Sequence, residues 1–191
     1  MHTSRSQSTI STADSVLSYV ARVRAALDEL EAQRLALWRM ADILSEKTFG
    51  NGRVYVIGNG GSYANADHLV LHLREAGIYA TNVLSDIGWL TATGNDRGFD
   101  KSANWLGCER IVTNSDVVVV ISGSGDSANI NRAAEIGRGR GARVLGLLGM
   151  GGGTVRQRCN EAVVLQARGY GECEDAHAVA IHALRELLLT S

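Results

Sequence analysis

Proline is absent from the 191 residues, and cysteine is limited to Cys108, Cys159 and Cys173. The missing proline reflects coding bias and excludes no fold. The cysteines are odd in number, scattered and never spaced C-x-x-C, which argues against a disulfide framework and fits reduced thiols in a cytoplasmic protein. Long apolar runs are missing too. No stretch approaches the roughly eighteen consecutive apolar residues of a membrane span, and the polar opening Met1 to Thr9 lacks the apolar heart of a secretory signal. A formal net charge of -1 provides no global field for nucleic acid or an anionic membrane. Any anion must therefore be held by a local site.

Present instead is an ordinary globular composition, 45% hydrophobic and 20% charged, in a chain long enough for one domain with a good core. Residues 1–10 offer nothing to bury and read as a disordered tail. Ser11 to Asp14 fits a helix start. Leu17, Val20, Val23, Leu27 and Leu30 then recur at helical spacing, and Leu35, Trp38, Met40, Ile43 and Leu44 carry the pattern to about Lys47. This predicts a helical arm over residues 11–48, one long helix or two in tandem. Such an arm packs either against a sister subunit or on its own domain alone.

Over residues 49–191 short apolar runs alternate with longer helical stretches. The pattern predicts strands over 53–58, 79–84, 116–121, 143–148 and 162–166. Helices are expected over 62–76, 87–93, 100–112, 127–140, 153–159 and 173–189. The continuous apolar runs Val117 to Ile121 and Val144 to Leu148 suit strands covered on both faces. Alternation of this kind calls for an α/β fold with a parallel, doubly wound sheet. Ligands of such sheets sit beyond the carboxyl ends of the strands.

Two turns at such positions look built for an anion. Gly58-Asn59-Gly60-Gly61-Ser62 follows an apolar run and opens a helix, and Ser122-Gly-Ser124-Gly-Asp-Ser127 does the same after the most hydrophobic run. Turning glycines let several backbone N–H groups point at one spot, to which a helix N-terminus adds its positive end. Phosphate is the natural guest. Neither turn has the P-loop or dinucleotide spacing, so no nucleotide cofactor is expected.

Four of the five histidines fall in two predicted helices. His68 and His72, four apart, share a helical face; Glu174 and His182, eight apart, lie near one face of the last helix. If those helices meet, His68, His72, Glu174 and His182 make an N/O cage for zinc or another divalent ion. The alternative is a pair of surface histidines and a pair of satisfied core histidines. Asp67 and Asp175 are either supporting partners or solvated charges. Gly94 to Gly98 and Gly149 to Thr154 read as a polar turn and a flexible loop.

At these residues the chain resembles the sugar isomerase (SIS) domain family, and within it the phosphoheptose isomerase branch. The resemblance covers about residues 12–189. It rests on Gly58 to Ser62, Ser85-Asp86, Gly94-Asn-Asp96, Ile121 to Ser127 and the last helix. It implies a five-stranded parallel sheet flanked by helices, an N-terminal helical arm, and a homotetramer with active sites at subunit contacts. It also implies conversion of sedoheptulose 7-phosphate to an aldoheptose 7-phosphate through an enediol, with zinc in some members. Carried over by position, Gly60 and Ser62 of the first turn and Ser122, Ser124 and Ser127 of the second hold the phosphate, and Asn59 and Asp96 contact the sugar. His182 keeps the family's acid/base position.

The departures from the branch are local. His72 stands where the catalytic carboxylate is usual, Glu174 where a glutamine is usual, Gly123 where a threonine is usual and Asp126 where an asparagine is usual. Either His72 or Glu174 then serves as the base, or the four-residue set binds a metal more tightly than the usual one. Three readings remain: an aldose-ketose isomerase of a phosphorylated sugar, a metalloenzyme of the same fold acting on another small molecule, and a non-catalytic scaffold or sugar-phosphate sensor.

Overall fold

The structure is a computed structural model that describes residues 12–46, 52–107 and 111–190. The expected disordered tail at 1–10, the end of the arm at Lys47 and Cys108 lie outside the described residues. The arm is two helices in tandem, α1 (Thr12–Ala32) and α2 (Arg34–Ser45). The break falls at Gln33, whose side-chain amide is used elsewhere. Its Nε2 donates to the Val164 carbonyl at 2.8 Å and its Oε1 accepts from the Val164 N–H at 2.8 Å. That amide stands in for a neighbouring strand and satisfies the open edge of the sheet.

Beyond the arm come β1 (Val54–Gly58), α3 (Gly61–Glu75), β2 (Ala80–Asn82), α4 (Ile87–Asp96), β3 (Val117–Ser122), α5 (Ala128–Gly139), β4 (Arg143–Leu148), β5 (Glu161–Val164) and α6 (Tyr170–Thr190). All five strands are parallel, in the order β2-β1-β3-β4-β5. The predicted strands all form. Alternate residues of β3 enter opposite layers: Val117, Val119 and Ile121 pack with α2, α3 and α6, while Val118 and Val120 pack with α5. Two covered faces are the reason the run is apolar throughout.

Two expected helices are corrected. Residues 100–112 contain short 3-10 turns at Phe99–Lys101 and Asn104–Gly107 in place of a helix among the described residues. Trp89 and Trp105 pin this segment through indole N–H bonds to the Ser102 and Val83 carbonyls, so tertiary anchoring overrides helical spacing. Residues 154–158 likewise form a 3-10 helix. The Gly149 to Thr154 segment, expected as a flexible loop, folds behind the β3 turn, with Val155 N–H on the Gly125 carbonyl at 3.0 Å.

The arm packs on its own domain at Ala26, Leu30, Met40 and Leu44, all buried. Arg22 pairs with Glu172, and the Tyr19 hydroxyl donates to Asp175 at 2.7 Å. Val16 and Leu17, nearer the start of α1, stay 60% and 69% exposed, apolar surface left open beyond the packed part of the helix.

Candidate active site

The strand order reverses direction between β1 and β3, and ligands of doubly wound sheets bind at the carboxyl edge of that switch point. Both predicted anion turns lie there. The β1 turn passes into α3 through Gly60, at φ 56°, a backbone conformation that glycine alone adopts without strain. The β3 turn passes into α5 with Ser127 as its N-cap residue, and the Ser127 side chain makes no capping bond. Asn59, Ser62, Ser122, Ser124, Ser127, Tyr170 and Glu174 line one small cavity. Its volume of about 50 Å³ holds a few waters, and so a phosphoryl group, with the rest of any ligand outside.

Several polar atoms in this corner already have partners that fix its shape. Ser122 Oγ accepts from the Gly125 N–H at 3.0 Å, and Ser124 Oγ from the Asp126 N–H at 3.3 Å. Asn59 and Asn129 exchange reciprocal amide bonds at 2.9 and 2.8 Å. Asp126, a carboxylate poorly suited to a phosphate site, accepts from the Thr154 N–H at 2.8 Å. Its charge is therefore drawn toward the supporting loop and is not among the groups lining the cavity. Asp96 does not line it either: it is exposed at the end of α4, beside Asn95.

The histidine question turns on α3 and α6, which do meet. His68, His72 and His182 converge, with candidate ligand atoms all within 4.8 Å of one another. His68 Nε2 and His72 Nε2 are 2.9 Å apart, and the His182 ring lies 4.7 and 5.3 Å from the other two ring centroids. His72 is buried, His68 half-buried and His182 exposed, so the cluster opens to solvent through His182. Burial, then the nearby His72 and His182, hold the His68 pKa below its usual value, keeping that imidazole neutral and its lone pair available.

Glu174 is not in this group. The expected four-residue cage becomes a set of three histidines, because Glu174 turns toward the start of α3. Its carboxylate lies so close to Gly61 that a Cβ there would fall 2.2 Å from Oε2. Its backbone carbonyl accepts from Asn65 Nδ2 at 2.9 Å. It thus lines the anion cavity, on the second turn of α6.

Asp67 and Asp175 do not support the histidines; they bind Asn82 Nδ2 and the Tyr19 hydroxyl. That task falls to Glu75, whose Oε2 contacts His72 Nδ1 at 2.8 Å and accepts from Arg185 Nε at 2.9 Å. The hydrogen bonds to His72 and Arg185 lower the Glu75 pKa. A carboxylate on Nδ1 fixes the imidazole so that Nε2 faces the cluster, the usual support for a metal-binding histidine. Its signal in the sequence was the three-residue spacing from His72. The donor set fits a zinc-like ion: three converging imidazoles, one held by a carboxylate, with an opening to solvent. Glu75→Gln is expected to weaken zinc affinity about 10- to 100-fold, read by competition with a chromophoric chelator.

The profile of the SIS domain matches residues 18–149. The chain belongs to the SIS domain family. Its relatives include a phosphoheptose isomerase of Geobacter sulfurreducens, 33% identical and covering 92% of this chain and 96% of that one. A second, from Pelobacter propionicus, is 35% identical over 78% of this chain and 83% of its own. Among solved structures, a phosphoheptose isomerase of Neisseria gonorrhoeae superposes with a TM-score of 0.87 at 25% identity, covering 95% of this chain and all (100%) of that one. The five-stranded parallel sheet is therefore the SIS fold, as expected from the motifs.

His177, the fourth histidine of the two helices, is neither a surface residue nor a satisfied one. It is fully buried with both ring nitrogens unpaired among the described residues; the Leu148 backbone lies nearby without meeting hydrogen-bond geometry. Burial lowers its pKa to about 4. A folded pKa below the unfolded one, about 6.5, means the unfolded chain binds the extra proton first. This residue's contribution to stability is thus intact above about pH 6.5 and is lost as pH falls toward 4. His177→Leu is expected to raise Tm at pH 5 more than at pH 8, measured by thermal unfolding monitored by circular dichroism.

Proposed function

We propose that the protein is a cytoplasmic aldose-ketose isomerase of phosphorylated sugars, with sedoheptulose 7-phosphate to an aldoheptose 7-phosphate as the model reaction. One observation carries the reading: an anion corner and a histidine cluster occupy two levels of the same helix pair. Glu174 lies level with Gly61, and His182 with His68 and His72, so α3 and α6 run in parallel. Eight residues from Glu174 to His182 correspond to about 12 Å along the axis. An extended seven-carbon sugar phosphate, with C–C bonds of about 1.5 Å, spans roughly 10 Å. A phosphate in the corner thus brings the carbonyl end toward the histidines. The phosphoheptose isomerase relatives support the same substrate class.

In this reading Gly60, Ser62, Ser122, Ser124 and Ser127 receive the phosphate at the N-termini of α3 and α5, and Asn59 and Asp96 belong to sugar recognition. His68, His72 and His182 would hold a divalent ion such as zinc. A bound ion supplies Lewis-acid polarisation of the carbonyl. Glu174, whose carboxylate a phosphate entering the corner repels from its place against Gly61, swings along α6 toward the carbonyl end, takes the proton from the carbon beside the carbonyl and returns it to the neighbouring carbon. His182, at the solvent opening, would carry the hydroxyl proton between the two oxygens, its ring N–H donating to the carbonyl oxygen and regaining a proton from the neighbouring hydroxyl. The apolar surface at Val16 and Leu17 supports assembly, with a homotetramer as the expected form.

Incubation with sedoheptulose 7-phosphate, with and without zinc, tests the reading by chromatography of the products. An aldoheptose phosphate is expected; unchanged substrate under both conditions overturns it. A second reading, a metalloenzyme of this fold with another substrate, draws on His72 standing where a carboxylate is usual. It gains if one tightly held ion accompanies inactivity on every phosphorylated ketose tested.

A further inference from the structure

Gly123 and Tyr170 come from distant parts of the sequence and share one space. A Cβ built on Gly123 would lie 2.7 Å from Tyr170 Cδ1 and 3.1 Å from Cε1, and its third nearest atom is also in that ring. Gly123 has no left-handed backbone angle, so its conformation suits any residue. The tyrosine ring is therefore the nearest obstacle to a side chain at this point of the anion turn. Tyr170 lines the same cavity as Ser62, Ser122, Ser124, Ser127 and Glu174.

The ring is not there to fill a core. It is 60% exposed, and its hydroxyl makes no hydrogen bond among the described residues. Tyr170 is the first residue of α6, and the next residue, Gly171, lies against Tyr19, where a Cβ would be 2.8 Å from the Tyr19 hydroxyl. Contact with α1 thus seats the first turn of α6 beside the β3 turn. An exposed aromatic side chain held over a polar cavity offers little to stability and much to the boundary of that cavity.

We propose that Tyr170 is a specificity-determining residue that forms the removable wall of the anion corner, and that position 123 is glycine to admit it. The inference rests on the phosphate reading of the corner. By covering the β3 turn, the ring keeps water from the serine hydroxyls and backbone N–H groups around a bound phosphoryl group, which strengthens each of those bonds. It also limits the corner to a small terminal anion. A side chain at 123 displaces the ring and opens the same wall.

The test is a double-mutant cycle read by isothermal titration calorimetry with inorganic phosphate, on the full chain at low salt. Tyr170→Ala is expected to raise the phosphate Kd about tenfold, the loss of roughly one well-shielded hydrogen bond to a charged group. Tyr170→Phe, which keeps the ring, should bind like the unmodified protein. Gly123→Ala should weaken binding similarly alone and add almost nothing in the Tyr170→Ala background, because both changes remove one wall. Circular dichroism should show all variants folded with Tm close to the parent. Unchanged binding by Tyr170→Ala, or additive effects of the two alanines, overturns the proposal while leaving the phosphate reading standing. A parent protein that binds no phosphate overturns the reading of the corner and this inference with it.

Discussion

Glu174→Gln is expected to lower kcat/KM for sedoheptulose 7-phosphate by about 10²- to 10⁴-fold, the usual contribution of a positioned acid/base group. Zinc stoichiometry should not change, because Glu174 lies against Gly61 in the anion corner while the three imidazoles converge without it. The amide is nearly the size of the carboxylate, so the corner keeps its shape and only the proton acceptor is lost. Steady-state kinetics paired with metal analysis separates the roles. Loss of activity with metal retained assigns Glu174 to proton transfer; loss of both returns it to the ligand set expected from its spacing to His182.

His72→Ala is expected to act in the other order, removing the metal first and activity as a result. A site worth about 10–16 kcal/mol over four ligands loses on the order of a hundredfold in affinity or more when one imidazole is removed. His72 is the buried member of the cluster and the one fixed by Glu75, so no exposed side chain readily replaces it. Competition against a chelator gives the affinity directly. Zinc bound as tightly by His72→Ala as by the parent would contradict a three-histidine site.

Much of this arrangement could be read from the chain before the structure. The five strands follow from apolar runs that need cover on two faces, and the two glycine-serine turns mark the switch point because parallel sheets bind ligands at their carboxyl edge. The meeting of His68 and His72 with His182 was a conditional inference from helical faces, and α3 and α6 fulfil the condition. What spacing could not provide was side-chain direction. Glu174 and His182 fall near one face, yet the open space above Gly61 draws the carboxylate to the corner.

Other features depend on partners far away in sequence. Gln33 completes the edge of β5 across 131 positions, and Tyr170 reaches Gly123 only because the sheet brings their loops together. Glu75 was within sight, three residues from His72, but its role depends on which way that imidazole faces. His177 matches the period of a core residue, while its lack of hydrogen bonds is a property of packing alone.

The central claim is that the two ends of the α3 and α6 pair serve one reaction, proton transfer between neighbouring carbons of a phosphorylated sugar. Its most direct test is isomerisation of sedoheptulose 7-phosphate by the zinc-loaded protein in deuterium oxide, followed by proton NMR. The account predicts an aldoheptose 7-phosphate carrying deuterium at the carbon beside the new carbonyl, with incorporation abolished by Glu174→Gln. Substrate recovered with no deuterium at any exchangeable carbon would contradict it.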